Sequence, residues 1–328
     1  MAAKIYTGTK RNVAKLARVV REGGLVAVPT ETVYGLAANA LDAKACKQIF
    51  RAKGRPPTDP LIVHVLGIRD AEKIAEVNQA ARKLAQAFWP GPLTLVLHKR
   101  KIIPDVVTSG QASVAVRSPQ HPLFRRLLKA TGVPVAAPSA NPFGYISPTQ
   151  AEHVQNGLGQ RISYILEGGP SRVGVESTIV DLRDPAKPVL LRPGAITQKQ
   201  LEKVLKTSVR WRPRSLSKKQ AASAPGTLKS HYSPRTPLKL HRRIVLKEAL
   251  NSKQDEAWIF FDANPDRKRT NFFSLNARGE PARAAKQLFG ILQKLDRQRF
   301  RQLHAEMAPR NGIGDAINDR LQRAAAKK

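Results

Sequence analysis

The stretch from residue 26 to residue 64 constrains the fold more than any other part of the chain. It begins in a short apolar run, LVAV at 25–28, which predicts a buried strand that Pro29 ends. A helical pattern covers 43–51, and a second apolar run, LIVHV at 61–65, predicts another strand. Two strands joined through a helix predict an α/β sheet.

The loop after this helix, KGRPP at 53–57, concentrates positive charge. Lys53 and Arg55 are two residues apart, and the prolines that follow restrict the backbone before the next strand. A guanidinium binds phosphate oxygens in pairs and an ammonium acts as a point charge, so the loop suits a phosphate chain. A solvent-exposed basic turn is the alternative that the loop alone leaves open.

The composition changes near residue 207, after helical patterns at 12–22 and 69–88. Residues 208–227 are rich in Arg, Lys, Ser, Ala and Pro, which is typical of a linker. Farther on, a strand pattern at 257–261 precedes a helical pattern at 282–295, which predicts a second, small α/β unit. This unit has no GxGxxG motif, so no dinucleotide site is expected in it.

Several short sequence phrases, which follow one another along the chain, resemble the YrdC-type domain of threonylcarbamoyl-AMP synthases. They are PTETVYGL (29–36), KGRP (53–56), PLIVH (60–64), WPGPLTLVL (89–97), ASVAVRSP (112–119), APSAN (137–141), ESTIVD (176–181) and LRPG (191–194). HYSP at 231–234 resembles the linker of the longer, two-domain members, although 227–230 departs from their usual sequence.

The resemblance implies both a fold and a division of the chain. We expect a YrdC-like twisted mixed sheet with helices, followed by a small C-terminal Rossmann-like α/β domain. The expected boundaries are 1–206 for the catalytic domain, 207–236 for a linker reaching over the active site, and 237–328 for the C-terminal domain.

The resemblance also implies a nucleotidyltransferase reaction. L-Threonine, bicarbonate or CO₂, and ATP would give threonylcarbamoyl-AMP and pyrophosphate, for the threonylcarbamoyladenosine modification of tRNA. A downstream threonylcarbamoyl-transferase complex would use the product. Mg²⁺ is expected with ATP, held by phosphate oxygens and water rather than by protein ligands.

The family's functional positions transfer to this chain residue by residue. The resemblance assigns catalytic roles to Lys53 and Arg55. It assigns contacts with L-threonine to Thr32, His64, Arg117 and Ala137. It assigns contacts with ATP to Arg55, Asp59, Ser113, Ser139, Ser147, Arg192 and Tyr232.

Local chemistry leaves other roles open for some of these residues. His64 lies in an apolar strand, where a core histidine is the alternative. Ser147 precedes a proline and a threonine and could instead cap a helix. Asp59 stands where the family commonly has asparagine, and its carboxylate would repel a triphosphate unless Mg²⁺ or Arg55 intervened. Ser177 and Thr178 could simply bond to neighbouring strands.

The formal net charge of +33 suggests polyanionic partners, including RNA. The 27 basic and 10 acidic residues from 207 onward leave +17 there and +16 in the rest of the chain. Double-stranded RNA or tRNA contact through a basic surface is one expectation. A noncatalytic RNA-binding protein is therefore a rival, although an aromatic content of 5% disfavours a base-stacking platform. An enzyme that carbamoylates another acceptor is the second rival.

A single cysteine, Cys46, excludes an intramolecular disulfide framework, and we expect it to be a small buried hydrophobe. No apolar run reaches the length of a membrane span, and the first residues lack the apolar core of a signal peptide. The sequence therefore predicts a cytoplasmic protein without membrane contact.

Overall fold

The computed structural model describes residues 2–211 and 231–326. The sequence departure at 227–230 and most of the predicted linker lie outside the described residues. We call 2–211 the N-terminal unit and 231–326 the C-terminal unit. The domain boundaries given above stay predictions.

The N-terminal unit is built on a mixed sheet of eleven strands in the order β1-β8-β2-β3-β7-β4-β6-β5-β9-β10-β11. Its strands are β1 Lys4–Tyr6, β2 Val26–Val28, β3 Gly35–Asn39, β4 Ile62–His64, β5 Leu93–His98, β6 Ser113–Arg117, β7 Val135–Ala136, β8 Tyr164–Leu166, β9 Thr178–Asp181, β10 Val189–Arg192 and β11 Arg210–Trp211. Its helices are α1 Lys10–Arg21, α2 Ala43–Lys53, α3 Ile68–Ile74, α4 Gln79–Phe88, α5 Asp105–Thr108, α6 Pro122–Thr131, α7 Ala151–Leu158 and α8 Gln198–Leu205.

The C-terminal unit has a parallel four-stranded sheet in the order β12-β15-β13-β14. Its strands are β12 Leu238–His241, β13 Glu256–Phe260, β14 Phe272–Ser274 and β15 Gln302–Glu306. Its helices are α9 Leu246–Leu250, α10 Pro281–Arg297 and α11 Gly314–Ala325. A mixed sheet with helices followed by a small parallel α/β unit confirms the predicted fold class.

The 26–64 stretch contains one strand more than its pattern predicted. β3 pairs antiparallel with β2 and separates it from β7, so β2 and β4 are not neighbours. The sequence of β3, GLAAN, has neither β-branched nor aromatic residues, and for that reason its strand character was missed.

The predicted helix over 69–88 is in fact two helices, so that expectation was wrong. Between α3 and α4, Ala75 makes an isolated antiparallel bridge with Lys99. The side chain of Asn78 then accepts a hydrogen bond from the backbone N–H of Ala81 over 2.9 Å and caps α4. An N-cap asparagine within an otherwise continuous apolar pattern marks the break.

One hydrophobic cluster belongs to both units. Val33, Ile146 and Val175 of the N-terminal unit pack with Leu288 and Phe289 of α10. No helix among the described residues is long and apolar enough to cross a membrane.

Gly174 packs closely against α10. Its φ is +80°, and a Cβ placed there would lie 2.4 Å from the Cα of Lys286. We expect Gly174→Ala to lower the free energy of unfolding by about 2–3 kcal/mol, through both backbone strain and the clash. Thermal or urea unfolding would measure the loss.

Gly290, within α10, provides a matched control. A Cβ at Gly290 would meet no atom within 4 Å, so Gly290→Ala should raise stability by about 0.5–1 kcal/mol through helix propensity. Equal effects of the two substitutions would show that contact at Gly174 does not hold the units together.

Candidate active site

A cavity opens beside the strand ends at the centre of the large sheet. β4 and β6 run parallel with His64 opposite Arg117, and β7 pairs antiparallel with β4. Because β4 and β6 are parallel, His64 and Arg117 lie side by side at the C-terminal ends of these strands. The antiparallel β7 instead brings Ala137 to the start of β4, where its backbone N–H donates to the backbone oxygen of Ile62 over 3.0 Å. The lining residues are Thr30, Thr32, Val33, Gly35, Arg55, Ile62, His64, Arg117, Ala137, Pro138, Ser139, Glu176, Ser177, Arg192, His231 and Tyr232.

Arg117 is held by two residues of the turn after β2. Its Nη2 lies 2.7 Å from Glu31 Oε1, and its Nη1 donates to Thr32 Oγ1 over 2.9 Å. Burial opposes ionisation of Glu31, but the guanidinium outweighs it, and the pKa of this carboxyl lies below its ordinary value. The guanidinium is therefore fixed and charged at the cavity wall.

His64 faces the same cavity as a neutral imidazole. Burial, followed by the charge of Arg117, lowers the pKa of His64 to about 3. Its ring packs 5.2 Å from that of Phe124, centre to centre. A neutral ring can contact an amino acid substrate without adding to the positive charge of Arg117.

The low pKa of His64 implies that the protein loses stability in mild acid. The unfolded histidine takes up a proton near pH 6.5 while the folded one stays neutral, so stability falls as pH drops below 6.5. We expect the wild type to lose about 2 kcal/mol more than His64→Gln between pH 7 and pH 5. Urea unfolding of both proteins at the two pH values would measure this, and equal losses would contradict it.

Arg55 and Asp59 form a buried ion pair on another side of the cavity. Arg55 Nη2 lies 3.0 Å from Asp59 Oδ2, and the same guanidinium donates to the backbone oxygens of Asp59 and Pro60. Arg55 lines the cavity and Asp59 does not. The Asp59 carboxylate, which would repel a triphosphate if it stood alone, is thus paired with the Arg55 guanidinium.

Lys53 is the last residue of α2, and Gly54 follows it in a left-handed conformation with a φ of 63°. The Lys53 ammonium donates to the backbone oxygens of Ser139 and Asn141 over 2.6 and 2.5 Å. Burial and the charge of Arg55 move the pKa of Lys53 well below its ordinary value. Lys53 therefore ties α2 to the segment that carries Ser139, and it does not line the cavity.

Ser147 and Ser113 also lie outside the lining. Ser147 Oγ donates to Glu176 Oε1 over 2.5 Å, and the N-cap position of α7 belongs to Gln150, so the capping alternative for Ser147 was wrong. Ser113 starts β6 opposite His98, about 13 Å from Arg117 along the strand.

Eight predicted residues therefore meet in one cavity: Thr32, Arg55, His64, Arg117, Ala137, Ser139, Arg192 and Tyr232. Four do not line it: Lys53, Asp59, Ser113 and Ser147. The ligand contacts assigned to all twelve stay predictions.

Sequence reasoning singled out neither Glu176 nor His231 as cavity residues. Glu176 opens the ESTIVD phrase. In it Ser177 bonds to Thr94 on β5 over 2.7 Å, as the cross-strand alternative predicted, whereas Thr178 donates to the backbone oxygen of Ile196, outside the strands. His231 precedes Tyr232 in the HYSP phrase. Sequence reasoning reached both residues only through the family phrases that contain them.

His231 and Tyr232 bring two unsatisfied polar atoms to the cavity wall. Tyr232 is fully buried with a φ of 63°, and burial raises its pKa to about 12. Within the described residues, neither the Tyr232 hydroxyl nor His231 Nδ1 has a hydrogen-bond partner. Buried polar atoms are normally paired, so these two are suited to contact a ligand.

The described residues offer no group of three His, Cys, Asp or Glu side chains that could hold a metal ion. The nearest carboxylates, Glu31, Asp59 and Glu176, each pair with an arginine. A cage of protein ligands for Mg²⁺ therefore does not fit this cavity.

Comparison with known proteins agrees with the fold and with the sequence motifs. The Sua5/YciO/YrdC family model, described as "Telomere recombination", matches residues 18–194, and a model for the threonylcarbamoyl-AMP synthase C-terminal domain matches 196–326. A threonylcarbamoyl-AMP synthase of Pyrococcus abyssi is 40% identical over 93% of this chain and 91% of its own length. One from Bacillus subtilis is 38% identical over 95% and 92%.

The fold similarity extends over both units. The crystal structure of P. abyssi Sua5 complexed with L-threonine superposes with a TM-score of 0.90, at 37% identity and 98% coverage of each chain. With family models matching both parts and relatives similar over nearly the whole length, the chain belongs to the two-domain Sua5 family of threonylcarbamoyl-AMP synthases.

Proposed function

We propose that this protein joins L-threonine, CO₂ derived from bicarbonate, and ATP into threonylcarbamoyl-AMP, with release of pyrophosphate. The observation that carries the proposal is the meeting of three arginines, Arg55, Arg117 and Arg192, in one cavity with a neutral histidine. The similarity of this chain to P. abyssi Sua5, whose crystal structure contains L-threonine, supports threonine as the amino acid substrate.

The Arg117 side of the cavity suits the amino acid. A guanidinium fork pairs with a carboxylate, and the Thr32 hydroxyl beside it can bond to a second polar group of the substrate. The small Ala137 side chain lets the substrate approach the backbone, and neutral His64 lines the same cavity.

The Arg55 and Arg192 side suits the triphosphate. Both guanidiniums are buried, and Ser139 lines the same cavity. Fixed cations in a place with little water stabilise negative charge that develops on phosphate oxygens. Mg²⁺, expected with ATP, would be held by phosphate oxygens and water, because the nearby carboxylates are already paired.

The reaction then needs positioning more than a protein nucleophile. The threonine amine attacks CO₂ and loses a proton to form a carbamate. A carbamate oxygen attacks the α-phosphorus, and pyrophosphate leaves with the electron pair of the broken P–O bond. Holding both substrates in one cavity supplies the proximity, and the arginines stabilise the transferred charge.

The product would serve the modification of tRNA through a separate transferase complex, and the basic surface of this protein provides an attraction for RNA. We propose tRNA contact as an electrostatic encounter. Its affinity should therefore fall steeply with added salt in filter-binding measurements.

Incubating the pure protein with ATP, Mg²⁺, labelled bicarbonate and a panel of amino acids tests the proposed activity. We expect pyrophosphate release that depends on threonine, with label in the nucleotide product. A requirement for another acceptor would replace this proposal with a different carbamoylating enzyme. RNA affinity without turnover in any mixture would indicate a noncatalytic binding protein.

A further inference from the structure

Helix α11 of the C-terminal unit places a cation against the cavity wall. Arg320 belongs to this helix, and its side chain is 0% exposed. Its Nε donates to Glu176 Oε2 over 2.8 Å, and its Nη1 donates to the backbone oxygen of Pro193 over 2.9 Å. Both acceptors belong to the N-terminal unit, so a single guanidinium joins two of its loops to α11.

Glu176, the partner of Arg320, lines the cavity and also accepts a hydrogen bond from Ser147. Burial opposes its ionised form, but the charges of Arg320 and Arg192 outweigh this, so the pKa of Glu176 lies below its ordinary value. A buried carboxylate beside a triphosphate would repel it if the carboxylate lost its cation. Arg320 therefore neutralises the one acidic residue that the described part of the chain contributes to the lining.

The same helix also supports the segment that contains His231 and Tyr232. The guanidinium carbon of Arg320 lies 5.5 Å from the centre of the Tyr232 ring, within the range of a cation–π contact. The backbone N–H of His231 donates to the backbone oxygen of Arg323, one turn farther along α11. Three parts of the cavity wall thus depend on α11: Glu176, the loop at Pro193, and the His231–Tyr232 segment.

We propose that Arg320 is a positioning residue for the nucleotide. It holds the Glu176 carboxylate and the Tyr232 ring, so that Arg192 binds phosphate and does not pair with Glu176. This rests on the proposed function, because it takes ATP as the nucleotide. Without Arg320, the charge of Arg192 still acts on Glu176. The cavity would then lose a phosphate ligand and gain an unmatched negative charge.

Arg320→Gln is the direct test. We expect the KM for ATP to rise on the order of 30- to 100-fold, and the KM for threonine to change by less than about threefold. Within the described residues, Glu176 interacts with Arg192 on β10, Ser147 before α7 and Tyr232, and Asp319 on α11 accepts a hydrogen bond from Arg320. In the variant these leave the carboxylate short of positive charge, so the KM for ATP should increase further as pH rises and Glu176 ionises. The wild type should show no such increase.

A second substitution distinguishes positioning from a merely structural role. Adding Glu176→Gln to Arg320→Gln removes the unmatched charge, so we expect ATP affinity to return to within about fivefold of the wild type. If Arg320 only held the fold together, the second change would add to the loss. Arg297→Gln is the matched control, because Arg297 makes an exposed ion pair between the units with Glu152, outside the active site. It should leave both KM values within about twofold.

Calorimetric titration of ATP into each protein gives the same comparison without turnover. An equal rise in both KM values, or a double variant that binds ATP no better than Arg320→Gln, would overturn the role of Arg320. If Arg320→Gln does not fold, Arg320→Lys replaces it, and there a loss shared equally by ATP and threonine overturns the proposal. Absence of threonine-dependent pyrophosphate release by the wild type would instead refute the proposed function, and the ATP titrations would still decide the role of Arg320.

Discussion

Arg117→Ala is expected to lower kcat/KM for threonine on the order of 100- to 1000-fold. The change removes a charge-assisted contact with the substrate carboxylate and leaves the buried Glu31 carboxylate without its partner. Together these effects amount to about 3–4 kcal/mol. The KM for ATP should change by less than about threefold, because Arg55 and Arg192 remain. Initial rates of pyrophosphate release at varied threonine and varied ATP measure both values.

Arg126→Ala is the control for this substitution. Arg126 is exposed on α6, where it donates to the backbone oxygen of Gly8, so its loss should leave both substrates unaffected. Thermal unfolding of Arg117→Ala separates a loss of fold from a loss of binding. Equal losses for threonine and ATP in a folded variant would show that Arg117 does not serve the amino acid.

Ending the chain after Leu205 is expected to reduce threonine-dependent turnover by at least about 1000-fold. The shortened chain lacks His231 and Tyr232 from the cavity wall, and Glu176 loses Arg320. It also exposes the apolar surface of Val33, Ile146 and Val175, which should make it prone to aggregate. Turnover and sedimentation of the shortened and full chains test both expectations.

Tyr232→Phe in the full chain separates two causes of that loss. It keeps the ring that packs beside Arg320 and removes only the hydroxyl, so we expect an effect of about tenfold or less. A shortened chain that retains more than a tenth of the full activity would contradict our view that the C-terminal unit completes the site.

The sequence motifs predicted much of the fold because apolar runs and turn residues report local structure directly. The strand at 61–65 and the helix at 43–51 appear nearly as predicted, as β4 and α2. The break between α3 and α4 was harder, because residues 69–88 keep helical spacing across it and only Asn78 marks it. β3 was missed because its small residues gain strand structure from neighbouring strands rather than from their own propensity.

The site residues could be predicted where they belong to a family phrase. They were harder to predict where charged side chains pair with residues far away in the sequence. His64 and Arg117 reach the same cavity because β4 and β6 share a register that no single segment encodes. The backbone acceptors of Lys53 lie more than 80 residues away, so its sequence suggested a phosphate ligand and could not show the link to Ser139. Arg320 belongs to none of the phrases, and its partner Glu176 is 144 residues distant.

The hydrophobic cluster shared by both units also bears on how the protein unfolds. Because Val33 and Val175 pack in the same core as Phe289, neither sheet can lose its structure without uncovering the other's apolar side chains. The two units should therefore melt together, with one heat-absorption peak in calorimetry and a van't Hoff enthalpy close to the calorimetric one. Cooperativity would then protect the cavity from partial opening at temperatures below the transition.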